Sequence, residues 1–491
     1  MQTDALVIGG GLAGLFAVLH LPDDWEVVVV DKGTARRSGS SPLAQGGMAV
    51  AVGPDDSPEL HAQDTLRAGA GACHPAAVEV LVSEAPSALE ALMGLGCEFD
   101  RTPEGALDLH REGGQSVHRS VHAADATGRE LMRALVPHAR RRATRVTGGA
   151  VSLSVLDGRC VGAVVSTPEG PLAIRSRGVL LATGGCGALY ASTTNEDLST
   201  GDGIALAAEA GAATTDLEFV QFHPTALGVG DGTQRALLTE ALRGDGATLL
   251  GPDGWPLMDG VHPDRDLAPR DVVARAIAAA GPAVLDMRPV GADRLERRFP
   301  NVVAAVRRAG FDPVREPVPV TPAAHYLLGG VATDLWGRTS LDGLYAAGEC
   351  AGTGVHGANR MAGNSLTEAV VFGRRAAIAL AREAPPGVPG PPAGVDPVPE
   401  GGEPWDELRA AMWAGAGLSR TDASLRETAE AVGSLAEGSS RAFALAALTS
   451  SIVCRAARIR TESRGVHHRL DHPAPDPAWE GAHVRLGAVK G

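Results

Sequence analysis

This sequence contains no Cys-x-x-Cys pair, no unbroken apolar run of about 20 residues and no surplus of positive charge. Each absence removes a class of function. Its six cysteines, at 73, 97, 160, 186, 350 and 454, are scattered and lack histidine-rich partner spacing. No metal centre, zinc or iron–sulfur, is expected on them, and scattered thiols suit a reducing cytoplasm. The chain starts apolar, but its first basic residue is Lys32 and a triple glycine interrupts the run. It therefore does not read as a signal peptide, and a soluble protein with no membrane partner is expected. Lys and Arg number 44 against 58 Asp and Glu, a net charge of −14, which argues against nucleic acid or an anionic bilayer as partner. An anionic small molecule still fits, provided basic groups are concentrated locally.

What is present is a long chain dense in turn formers. Its 491 residues exceed the reach of one core, so two or three domains are expected, and 63 glycines and 33 prolines punctuate it. Residues 4–33 read as strand, tight glycine turn, helix from about Leu12 to His20, and buried parallel strand. Residues 60–95 and 123–143 read as Ala/Leu-rich helix, and short alternating strands follow around residue 150. A stretch from about 217 to 325, rich in Gly, Pro and charge, breaks the βαβ rhythm, which resumes at GLYAAGE (343–349). Residues 384–404 form a Pro/Gly linker that cannot be helical, and Ala-rich helical segments follow. The basic run RRRATR (140–145) reads as a solvated helix face. The expected fold class is α/β. A discontinuous Rossmann-like domain (1–216 and 326–395) carries an α+β capping domain (217–325) and a C-terminal helical domain (396–491).

Gly9-Gly10-Gly11-Leu12-Ala13-Gly14 matches GxGxxG. The first glycine permits the turn, Gly11 lets a pyrophosphate approach the backbone, and Gly14 lets helix and strand pack closely. Asp31, followed by Lys32, ends the second strand and suits a ribose hydroxyl. The complete strand–turn–helix–strand–acid context predicts a bound dinucleotide, and two further segments favour FAD over NAD. RGVLLATGG (177–185) is a strand ending in a small-residue turn, and TSLDGLYAAGE (339–349) ends in Glu349, placed to bond a ribityl or ribose chain. Asn364, Ser365 and Leu366 then open a helix whose positive end would meet the flavin pyrimidine, which becomes anionic on reduction. No second strand-flanked GxGxxG offers a nicotinamide site. In SGSSPLAQGG (38–47), Ser40, Ser41, Ala44, Gln45, Gly46 and Gly47 are small or amide residues that let backbone pass close to a cofactor, and Asp202 completes the candidate contacts.

GGGLAG, AQGG, QFHPTAL, LLTEALRGDGA, LAPRDVVARAI, AAHYLLGGV and GLYAAGECAGTGVHGANRMAGNSL, in that order, resemble the succinate dehydrogenase/fumarate reductase flavoprotein superfamily. Within it the likeness runs to the L-aspartate oxidase family, and ESRGVHHR (462–469) resembles the C-terminal helical domain. Relatives with covalent flavin carry a histidine where Ser40 stands, so the resemblance implies non-covalent FAD. Glu112, in HREGGQSVHRSVHAADATGRE (110–130), stands where relatives acting on succinate carry an apolar residue, and a carboxylate there suits a substrate ammonium group. Gly363 replaces a family serine, and Asp31 stands where some members have serine.

The resemblance assigns one substrate carboxylate to Arg360 and His325, the other to His223 and Thr239, with Gln221, Tyr326 and Ser365 as further polar contacts. Arginine's planar fork suits a bidentate grip. Arg270 resembles the family's proton-transfer residue, with Glu240 and Arg243, at i and i+3 on one helix face, as a relay to solvent. The implied reaction is oxidation of L-aspartate to iminosuccinate, a step toward quinolinate and NAD. O2 (giving H2O2) or fumarate would take the electrons, with quinolinate synthase as pathway neighbour. Three alternatives stay open here: a soluble fumarate reductase or succinate dehydrogenase-type flavoprotein, a subunit docked to an iron–sulfur partner, and a nucleotide binder without chemistry.

Overall fold

The computed structural model describes residues 1–33, 39–390 and 401–487. Ser38, the middle of the Pro/Gly linker and the boundary placed at 395/396 lie outside them. Val27–Asp31 reads VVVVD, four buried β-branched residues suited to a pleated surface covered on both faces. It pairs in parallel with Gln2–Ile8, and Gln2–Ile8 pairs in parallel with Gly170–Leu181. Thr144–Thr147 and Leu344–Ala346 extend this parallel sheet, while Arg159–Thr167 and Gly149–Leu156 add an antiparallel flap along the first half of Gly170–Leu181. Between the first two strands the glycine turn is forced. Gly9 has φ +118°, and a Cβ there would meet Ala182 O at 2.1 Å, so no other residue fits. The helix Leu12–Val18 follows, buried at every position and shorter than the sequence pattern suggested.

The stretch read as helical over 60–95 holds two helices, Pro58–Ala68 and Pro75–Gly94, because Gly69 to His74 turns the chain between them. The next helix, Thr127–Arg142, starts four residues later than expected. Residues 220–327 carry an antiparallel sheet, in the order Val220–Leu227, Val318–Leu327, Ala283–Asp286, Thr248–Leu250. With helices Arg270–Ala280, Ala292–Arg298 and Pro300–Arg308 it encloses its own apolar cluster, including Leu249, Ile277, Leu285, Val302 and Val318. The C-terminal helices Trp405–Ala416, Asp422–Ala436 and Arg441–Ile459 have no separate core. Leu408, Phe443 and Val453 share one cluster with Leu6, Ile8 and Val179 of the main sheet. Arg441–Ile459 is long and apolar enough to cross a membrane by length and composition, yet most of it is buried in that cluster.

Asp125 ties the capping region to the main sheet domain. Its carboxylate accepts from Asn301 N (2.9 Å), Val302 N (2.9 Å) and Asn301 Nδ2 (2.6 Å), at the N-terminus of Pro300–Arg308. Hydrogen bonds to a charged acceptor are worth about 1.5–3 kcal/mol each, and the helix dipole adds to them. Asp125→Ala is therefore expected to expose the arginines of 288–308 to trypsin faster than in the parent protein. Unchanged digestion would show that this clasp does not hold the capping region.

Candidate active site

Strands of the capping sheet and loops of the main domain converge on a cavity of about 590 Å³. It runs from Gly9–Ala13 past Ser40–Gly47 to Glu112, His223, Thr239, Glu240, Arg270, His325 and Arg360. Of the residues chosen from sequence, Gly14, Gln221, Arg243 and Asn364 do not line it. His223 and His325 come from the paired strands Val220–Leu227 and Val318–Leu327, whose register shifts on either side of His223. Such irregularities re-aim side chains, and here the two rings meet edge to face, 5.1 Å between centroids. Burial, then the charge of neighbouring arginines, pushes both imidazoles well below their usual range, so both are neutral. Thr194 fixes His325 through a 2.7 Å contact to Nδ1.

Arg360 sits at the centre, only 5% exposed. Its guanidinium donates to Ser365 Oγ (2.8 Å) and Gln221 Oε1 (3.3 Å), meets His325 Nε2 at 3.0 Å, and lies 4.8 Å over the Tyr326 ring. Burial first, then the Arg270 charge, pushes it down to about 10, which leaves it charged at neutral pH. Among the described residues no carboxylate forms an ion pair with it. Arg270 opens the helix Arg270–Ala280, where a cation faces the positive end of the dipole. Its Nε donates to Glu240 Oε2 (2.6 Å) and its NH1 to the same Gln221 Oε1 (3.2 Å). One neutral amide oxygen thus holds two guanidiniums side by side. Such an arrangement is unfavourable until an anion joins it.

The carboxylate of Glu240 lies between Arg270 and Arg243, whose NH2 is 3.6 Å from Oε1. Gly113 packs so closely there that a Cβ would stand 1.9 Å from Glu240 Oε1. Arg243 does not itself reach solvent: it is fully buried and donates to the Asp266 carbonyl. Tyr326 offers the cavity its ring, because its hydroxyl donates to Glu368 at 2.8 Å. Glu112 accepts from Gly47 N (2.8 Å) and contacts His110 Nε2 (2.7 Å). Burial alone would raise its carboxyl, but the His110 contact, Gly47 and Arg270 together hold it down at about 2. Its Oε2 accepts no hydrogen bond from the described residues.

The other half of the cavity fits a dinucleotide. Three buried polar atoms in its wall, Gln45 Oε1, Thr183 Oγ1 and Asp202 Oδ1, have no hydrogen-bond partner among the described residues. A Cβ on Gly11 would meet only Ser41 Oγ, at 3.1 Å, leaving the backbone open to a ligand. Ser41 Oγ also accepts from Leu12 N, and Ser40 Oγ contacts Ser199 and Asn195. Glu349 lines the wall, accepts from Leu327 N at 2.9 Å, and burial pushes it up to about 7. Asp31 is already shared: Arg145 and Gly33 N bond it, so Arg145 of the basic run is not merely solvated. Lys32 pairs with Asp202 (3.2 Å). Asn364 turns away, to His61 (2.8 Å) and Thr65 (2.9 Å), and Gly363 caps its helix instead. Sequence reasoning missed His110, Thr194 and Asn195. Only His110 carried a signal, its i, i+2 spacing from Glu112.

The FAD binding domain family matches residues 4–366. An L-aspartate oxidase of Caulobacter vibrioides is 45% identical over 495 residues, covering 98% of this chain and 96% of that protein. The L-aspartate oxidase of Mycobacterium tuberculosis is 45% identical over 506 residues, covering 99% and 95%. Among solved structures, a mutated E. coli quinol fumarate reductase FrdA superposes with TM-score 0.88 at 31% identity, covering 97% and 93%. A Mycobacterium smegmatis Sdh1 complex with UQ1 gives 0.83 at 30%, covering 100% and 95%.

His61, which anchors Asn364, is pushed down to about 4 mainly by burial. Between pH 6.5 and 4 the unfolded chain binds a proton there and the folded chain does not, so stability falls as pH falls. His61→Gln is expected to flatten this dependence by up to about 1.4 kcal/mol per pH unit. Denaturant titrations giving equal slopes for both proteins would contradict the assignment.

Proposed function

The chain belongs to the L-aspartate oxidase family of FAD-binding flavoproteins, and from that premise we propose that it oxidises L-aspartate to iminosuccinate at the Arg360 site. The observation that carries this reading is a buried guanidinium with no carboxylate partner among the described residues, facing a second arginine across one amide oxygen. A dicarboxylate supplies the missing negative charge. Arg360 and His325 take one carboxylate and His223 with Thr239 the other, the two neutral imidazoles acting as hydrogen-bond donors. Glu112 Oε2 receives the ammonium group, which succinate lacks. This charge contact is the reason to prefer an amino-acid substrate over succinate.

Bound FAD, held non-covalently beside Ser40, supplies the hydride acceptor. The chain's own residues do the rest. Clamping both carboxylates fixes the substrate carbons in one orientation, and the capping region, proposed as a unit over 217–325, excludes water. Arg270 stands next to the substrate as proton-transfer group, with Glu240 and Arg243 behind it. Fumarate, another four-carbon dicarboxylate, fits the same clamp and is proposed as one electron acceptor, with O2, giving H2O2, as the other. The product is proposed to pass toward quinolinate synthase. Six buried free cysteines support a reducing, cytoplasmic setting.

Anaerobic addition of L-aspartate is expected to bleach the yellow holoenzyme, and succinate to do so far more slowly. Equal bleaching by both would favour a succinate dehydrogenase-type activity. Glu112→Gln should raise KM for aspartate about tenfold or more, the loss of one charged hydrogen bond, while leaving the affinity for succinate near its parent value. Arg270→Leu should lower turnover by about 10²–10⁴-fold, and near-normal turnover would remove Arg270 from the chemistry.

A further inference from the structure

Behind the substrate end of the main cavity lies a second chamber of about 60 Å³, room for one or two waters. Gln45, Gly46, Asp125 and Thr239 line both spaces. Two imidazoles stand in the chamber wall, His110 and His122, with ring centroids 4.3 Å apart and planes tilted by 40°. His110 Nε2 contacts Glu112 Oε1 at 2.7 Å. His110 Nδ1 and both ring nitrogens of His122 are buried without a hydrogen-bond partner among the described residues. Beyond them, His122 Nδ1 lies 3.1 Å from Asp100 Oδ2, and Nε2 lies 3.7 Å from Asp108 Oδ2. The side chains of Asp100 and Asp108 are 44% and 51% exposed. Arg297 and Arg298 complete the lining, and Arg298 pairs with Asp245 at 2.8 Å.

Three successive buried nitrogens without partners would cost about 1–3 kcal/mol each in a dry core. Water in the chamber would satisfy them and join them into one continuous file. The file begins at the carboxylate facing the substrate nitrogen and ends at solvent.

Resting on the aspartate-oxidising reading above, we propose that Glu112, His110, chamber water, His122 and the Asp100/Asp108 pair form the exit route for the substrate's ammonium proton. Conversion of C–NH3⁺ to C=NH2⁺ removes a hydride from carbon and one proton from nitrogen. The nitrogen lone pair freed by that proton closes the C=N bond as the hydride leaves with the C–H electron pair. The proton crosses Glu112 to His110, then water and His122, and reaches bulk solvent at Asp100 or Asp108. Glu112 holds it only in passing, because its hydrogen bonds favour the ionised carboxylate. His110 and His122 are positioning and relay groups that never touch substrate. Reduction of fumarate involves no ammonium and does not use the route; the proton its carbon needs comes from Arg270, which in aspartate oxidation serves as a cation beside the substrate.

His122→Gln tests this without disturbing the Glu112 contact. The variant holoenzyme is expected to keep its parent Kd for L-aspartate and its thermal midpoint. Anaerobic reduction by aspartate should slow about tenfold or more, and added imidazole should restore it in proportion to its concentration. Reoxidation of the dithionite-reduced enzyme by fumarate should be unchanged. A holoenzyme crystal structure should place water between His110 Nδ1 and His122. Wild-type reduction rates in the variant, a dry chamber, or equal slowing of both half-reactions without imidazole rescue would each overturn the proposal. Should His122→Gln fail to fold, the double variant Asp100→Asn/Asp108→Asn, on partly exposed side chains, poses the same test. Failure of the parent protein to be reduced by aspartate would instead overturn the underlying reading.

Discussion

A charged guanidinium enclosed by protein, with no carboxylate paired to it among the described residues, is the constraint around which this site is arranged. Moving such a group out of water costs several kcal/mol even after relaxation, and a second arginine nearby adds to the cost. The surroundings offset part of it with neutral groups: the Gln221 oxygen, the Ser365 hydroxyl, the Tyr326 ring and a neutral His325. None of these cancels charge. The pocket is therefore pre-set for an anion, and a dianion matches its two ends best. Arg129, Arg235 and Arg308 at the cavity's rim draw anions toward it, a local basic patch on a chain with net charge −14.

The scaffold explains how this tension is held. Rigid parallel strands set the glycine turn and the opening of the helix Asn364–Glu383, while the capping sheet carries His223 and His325. Arg270 starts the helix Arg270–Ala280, packed with the antiparallel sheet, and Arg360 sits in the loop before the helix Asn364–Glu383. The site exists only where the two parts meet. The Asp125 clasp and Gly113, pressed against Glu240, keep that meeting close.

Legibility in the sequence followed locality. The glycine turn and the VVVVD strand are each dictated by a few adjacent residues, and their positions could be read directly. The capping sheet could not, since its strands pair across long separations and their burial depends on partners distant in sequence. The family likeness supplied His223, Thr239, Arg270, His325 and Arg360, and these line one cavity. Orientation was beyond it. That Asn364 turns to His61 and that the Tyr326 hydroxyl turns to Glu368 are decided by packing around those side chains. The same limit hid the His110–His122 pair. Its two histidines stand 12 positions apart, and only the fold brings their rings together.

The central claim is that Arg360 awaits a carboxylate. Its most direct test is equilibrium binding of a non-oxidised dicarboxylate such as malonate to the holoenzyme, followed by the perturbation of flavin absorbance, in parent and Arg360→Met proteins. The expected result is a loss of affinity of about 100-fold or more, the weight of two charged hydrogen bonds, with FAD still bound. Equal affinity in the two proteins would contradict the account.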